Sequence, residues 1–191
     1  MEGELNLTLR QIVDVLESIL KRPSRWNGQV SLVRSLNFAG AAHYDGSISI
    51  SEIVYADADL RWRTLIHEAL HTFSPQYTRY EYNAVRGWEE GVVEQMQRLV
   101  RPQVLTALSV AVNEEVLLEF EAVHAYNIYI EVLEDLRLRL NDTSLDFYKM
   151  LLAYPVTERS MILRQSGILL DDRLRDDYRI ALLKAVLSLR R

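Results

Sequence analysis

Apolar side chains at Leu5, Leu9, Ile12, Val13, Leu16, Ile19 and Leu20 recur at helical spacing and predict a helix over residues 5–21. Pro23 and the Asn27-Gly28 pair stop it. Between residues 29 and 51 the texture changes to short apolar runs, broken by Gly40 and Asp45-Gly46. Ser47-Ile48-Ser49-Ile50-Ser51 alternates strictly, as a strand with one buried face does, and the Asp-Gly ahead of it predicts a hairpin. A helix then starts near Asp57 or Asp59, either of which can cap it, and runs through Leu60, Trp62, Leu65, Ile66, Ala69 and Leu70 to the stop at Ser74-Pro75.

A polar, tyrosine-rich connection over 76–83 leads to a helix over 86–100, which Pro102 interrupts. Helices are expected beyond it at 104–112, 114–140, 145–153, 156–165 and 172–189. The order is helix, small sheet, many helices: an α+β chain with a mainly helical C-terminal part. Its 191 residues fit one domain, with the sheet and two helices over 1–100 and a helical subdomain over 101–191. The first helix leads straight into the strands and carries no side chain suited to cap a metal, so it is expected to be core and not an inhibitory segment.

Composition narrows the chemistry. A hydrophobic content of 49% supports a core, and a formal charge of −5 with scattered arginines speaks against a nucleic-acid partner. There are no cysteines, which removes disulfides and thiolate metal ligands; a metal would need imidazole and carboxylate. The acidic Met1-Glu2-Gly3-Glu4 does not read as a signal peptide, and no apolar run reaches the roughly 20 residues of a membrane span. A cytoplasmic location is expected, with secretion left open and no membrane partner.

The informative segment is His67-Glu68-Ala69-Leu70-His71. Histidines four apart on a helix lie on one face, where both imidazoles reach a single ion, and Glu68 sits beside it as a base for a metal-activated water. A catalytic zinc wants a third protein ligand and one open position. Trp88-Glu89-Glu90-Gly91 follows, with 18 residues between His71 and Glu90. Of the two adjacent carboxylates only one can face the ion, because helical neighbours differ by about 100°.

These residues resemble the gluzincin zinc peptidases, which pair the histidine motif with a downstream glutamate. The aminopeptidase-N-like branch uses the same gap and places the ligand in a Trp-x-x-Glu-Gly setting, to which Trp88, Glu90 and Gly91 correspond with one residue fewer after the tryptophan. The likeness spans residues 64–94. The chain carries no Gly-x-Met-Glu-Asn type strand to anchor a substrate amine, and its length suits the compact minigluzincins. The resemblance implies a zincin-like domain in which His67, His71 and Glu90 hold Zn2+, and Glu68 is the general base of peptide-bond hydrolysis. Glu89 is then expected in solvent. Glu94, one turn beyond Glu90, resembles the carboxylate that accepts the other N–H of a histidine ligand. A tyrosine or histidine after the third ligand is implied as oxyanion donor, with Tyr126 ahead of Tyr129, Tyr148 and His124. The alternating 47–51 segment is expected as the sheet edge beside the metal, holding an extended peptide or protein substrate. His43 reads as a loop or strand residue, Trp62 and Trp88 as core, and Arg159 as a helix-start ion pair. The rival function is a catalytically silent zincin-like module that binds protein.

Overall fold

The computed structural model describes residues 2–35, 38–142, 145–155 and 158. The helices expected at 156–165 and 172–189, and Arg159, lie outside them. The architecture is α+β, with a small N-terminal sheet and a helical C-terminal part. In order along the chain come α1 (Glu2–Leu20), β1 (Val30–Val33), β2 (Gly40–Ala42), β3 (Ile48–Ser51), α2 (Glu52–Ala56), α3 (Leu60–His71), α4 (Arg79–Ala107), α5 (Glu114–Ala122), α6 (Asn127–Arg139) and α7 (Asp146–Ala153). They form two compact units: Met1–Ser74 with Met96–Ala122, and Pro75–Gln95 with the described residues from Val123 onward. Among the described residues no helix is long and apolar enough to cross a membrane.

In the first unit α1 packs on α3 and β1 through Leu5, Leu9, Ile12 and Leu16, all fully buried. The expectation that this helix is core therefore holds. The sheet has the order β1-β3-β2, with β1 parallel and β2 antiparallel to β3. Ile48 and Ile50 supply its buried face. The predicted hairpin joins β2 to β3, where Gly46 takes φ 86° and presses on the Arg25 carbonyl. A side chain at that position would be strained on both counts. One expectation is corrected here. The alternating strand is the middle of the sheet, paired on both sides, so it cannot be the free edge; β2 is an edge instead.

Asp57 caps α3, its Oδ1 accepting the Leu60 N–H at 2.8 Å, while Asp59 turns its own Oδ1 to the Asn113 N–H at 2.7 Å. The short α2 between Ser51 and Asp57 was not expected from the sequence.

The connection expected at 76–83 is partly helix. Thr78 and Glu81 form a reciprocal cap: the Thr78 N–H reaches Glu81 Oε2 at 2.7 Å, and the Glu81 N–H reaches Thr78 Oγ1 at 3.2 Å. The helix so started breaks once, at Val85 (φ −135°, ψ 19°), and resumes at the Arg86 start expected from the pattern. Pro102 does not end it. The buried Val100, Val104 and Leu105 hold α4 together past the proline, to Ala107, although Pro102 provides no N–H for the preceding turn. The single helix expected over 114–140 is two, parted at residues 123–126. In the second unit Trp88, Tyr129, Leu133, Leu136, Phe147, Tyr148, Leu151 and Leu152 are buried.

Candidate metal centre

The last two turns of α3 bring His67 and His71 together, with ring centroids 5.0 Å apart and planes at 71°. Both are buried, at 7% and 5% exposure. The end of this helix is held firmly. Thr72 Oγ1 donates to the Ala69 carbonyl at 2.5 Å and lies 2.6 Å from Ser24 Oγ, and Arg25 Nε donates to the Ser74 carbonyl at 2.6 Å. α3 therefore ends on fixed side-chain contacts and not in a frayed turn.

Glu68 lies against β2. A methyl group placed on Gly40 would stand 2.6 Å from Glu68 Cγ and 2.9 Å from its Oε1. Only a residue without a side chain lets the carboxylate approach the edge strand this closely.

In the second unit, α4 is buried continuously from Gly87 to Glu94. The ring of Tyr129 lies on Gly87 and Gly91 and meets Trp88 edge-on, with centroids 4.9 Å apart. Tyr82 donates its hydroxyl to Glu90 Oε1. Burial first, and the Glu90 carboxylate second, push the Tyr82 hydroxyl well above its ordinary pKa, so it remains a donor. Arg86 lies over the Tyr82 ring at 6.0 Å and hydrogen-bonds Tyr126. Burial disfavours its charge, but the potentials of Tyr126, Tyr82 and Glu90 outweigh that and raise its pKa.

One imidazole nitrogen from each of His67 and His71 and one carboxylate oxygen of Glu90 all lie within 4.8 Å of one another. This buried group could hold a metal ion. Its donor set is two nitrogens and one oxygen, with no sulfur.

The other expected residues divide. Tyr126 takes the position before α6, beside His124, whose ring centroid is 5.2 Å away. Glu94 is fully buried one turn past Glu90. Glu89, expected in solvent, is also fully buried, because packing surrounds this stretch of α4 on every face. Tyr148 donates to Glu134 Oε1 at 2.5 Å, and Tyr129 fills the notch over the two glycines. His43 is exposed beside the hairpin, with Nε2 2.8 Å from Ser49 Oγ. Trp88 is core, as expected.

Sequence reasoning missed Tyr82 and Arg86. The Thr78-x-x-Glu81 signature could have placed Tyr82 on a helix, but no spacing rule links it to Glu90. Comparison with protein-family models, with curated proteins and with solved structures finds no match.

Proposed function

We propose that His67, His71 and Glu90 hold a zinc ion and that the chain is a gluzincin-type, zincin-like peptidase. The observation that carries this reading is the convergence of those three buried ligand atoms, with Glu68 next in sequence to the first. Cysteine is absent, and imidazole with carboxylate at three positions is the donor set of open, catalytic zinc. When bound, zinc supplies Lewis-acid activation of a water molecule and of the scissile carbonyl.

Each residue then has a task. Glu68, lying against the Gly40 backbone, takes the proton of the attacking water and returns it to the leaving amine. Glu94 accepts the second N–H of a histidine ligand and fixes its tautomer. Tyr126, held by its hydrogen bond with Arg86, donates its hydroxyl to the developing oxyanion. The outer edge of β2 offers main-chain groups to an extended substrate.

The test begins with the metal content of protein purified without added zinc and after reconstitution. Wild type and Glu68→Gln are then assayed on casein and a peptide library. Glu68→Gln is expected to retain zinc and lose about 10²- to 10⁴-fold in hydrolysis, the range for removal of a general base. Zinc uptake with both proteins equally inert would favour the silent protein-binding module. Failure to bind zinc at all would end the reading.

A further inference from the structure

Tyr82 and Glu90 are eight residues apart on one element, and yet the Tyr82 hydroxyl donates to Glu90 Oε1. On a straight helix that separation is about 12 Å along the axis, with the two residues in different turns. The contact needs the chain to bend between them, and it does so at Val85, the one non-helical residue of α4. Non-helical backbone inside a helix is unfavourable and persists where surrounding contacts hold it. Here those contacts include Tyr77 stacked on the Tyr82 ring, with centroids 5.6 Å apart and planes at 17°, and the Arg86 guanidinium over the Tyr82 ring at 6.0 Å. Arg86 in turn is tied to Tyr126.

We infer that Tyr82 is a positioning residue for the metal centre, a role that rests on the reading of Glu90 as a ligand. A hydroxyl fixed on one carboxylate oxygen restricts Glu90 to ligation through the other and holds the carboxylate plane before the ion arrives. Hydrogen bonds of this kind to ligand side chains tune metal affinity by about 10- to 100-fold. The Arg86–Tyr126 contact extends the same chain of polar groups to the start of α6. The proposed oxyanion donor and the proposed ligand are thus oriented by one assembly built around the Val85 break.

The test compares wild type, Tyr82→Phe and Tyr80→Phe, titrated with zinc against a chromophoric chelator and with cobalt(II) by visible absorption. Tyr80 is 84% exposed two residues away and serves as the control. Tyr82→Phe keeps the ring that stacks on Tyr77 and loses only the hydroxyl. Zinc affinity should fall about 10- to 100-fold in Tyr82→Phe. Its cobalt absorption should change in intensity or position as Glu90 loses its fixed plane, while Tyr80→Phe matches wild type. Melting of the three metal-free proteins separates loss of fold from loss of ligand orientation. If Tyr82→Phe melts like wild type and binds zinc equally well or more tightly, with the same cobalt spectrum, the role assigned to Tyr82 is overturned while the centre stands. A wild type that takes up neither ion removes the centre, and the role with it.

Discussion

Replacing Gly91 by alanine sets two effects of opposite sign against each other. Alanine is the better helix former, by about 0.8–1.0 kcal/mol in a helix interior. On that ground alone the variant would be more stable, and with about 2–4 °C per kcal/mol for a chain of this size its melting temperature would rise by about 2–4 °C. The structure predicts the reverse. The added methyl carbon would stand 2.7 Å from Tyr129 Cβ, whereas carbon atoms in contact prefer about 3.5–4.0 Å. That Cβ is anchored to the α6 backbone and cannot swing aside as a side-chain tip can. The Tyr129 side chain is itself held, at 1% exposure and edge-on to Trp88. Relief therefore requires α6 to move away from α4 by about an ångström, and overpacking of this sort costs about 1–3 kcal/mol. Subtracting the propensity gain leaves a net destabilisation of about 0–2 kcal/mol. Differential scanning calorimetry of wild type and Gly91→Ala in the same buffer, both metal-free, should show an unchanged or lowered melting temperature. A rise of about 2–4 °C would mean that propensity alone governs the site, and would refute the close approach of Tyr129.

Two further outcomes follow from polar contacts. Arg101 is 4% exposed and pairs with Glu121, 6% exposed, and with the half-exposed Glu114. Glu121→Ala should cost about 3 kcal/mol in urea unfolding, the low end for a broken buried pair because Glu114 remains, and Arg101→Met with Glu121→Leu should recover most of it. At the start of α4, hydrogen bonds from the Thr78 backbone and hydroxyl hold the Glu81 carboxyl below its ordinary value of 4.5. A depressed folded pKa gives a contribution that is present above 4.5 and lost as the pH falls through the folded value. The difference in melting temperature between wild type and Glu81→Gln should therefore be constant above that pH and shrink below it; a difference that grows on acidification would contradict the cap.

What could be read from the sequence depended on whether the cause was local. The buried stripe of α1, the alternation at Ile48 and Ile50 and the stop at Ser74-Pro75 are local patterns, and the structure matches them. The end assigned at Pro102 was misjudged because a proline's local penalty is a small part of the balance when Val100, Val104 and Leu105 are buried around it. The break between α5 and α6 falls at residues 123–126, which hold no glycine or proline to announce it, and the place of β3 inside the sheet is set by its pairing with β1, which is not its neighbour in the chain. At the site, the histidine pair and Glu90 were legible because helical spacing and the gap between motifs describe them. Glu89 was misplaced because a carboxylate's burial follows from how completely a helix is surrounded, which hydrophobic periodicity does not record. Tyr82 was invisible because its link to Glu90 depends on one broken residue.

The first half of α4 is a poor helix by every local measure. Between Tyr82 and Glu94 it holds one non-helical residue, two glycines and three buried carboxylates at Glu89, Glu90 and Glu94. The second half, from Met96 to Ala107, carries Pro102, the buried Gln97 and the buried Arg101 paired with Glu121, and is otherwise a packing helix with a buried apolar side. A segment shaped by stability alone has no use for these features. Glycine in a helix interior costs about 1 kcal/mol relative to alanine, and buried carboxylates are often replaced by apolar residues without loss. Yet each has a definite consequence in this stretch. Gly87 and Gly91 admit the Tyr129 ring, the Val85 break sends Tyr82 back to Glu90, and Glu90 lies among the ligand atoms of His67 and His71. Departures from local rules that converge on one small group of polar side chains are what a site held at the expense of stability produces. That concentration, independent of any motif, is the physical argument for reading this part of α4 as functional.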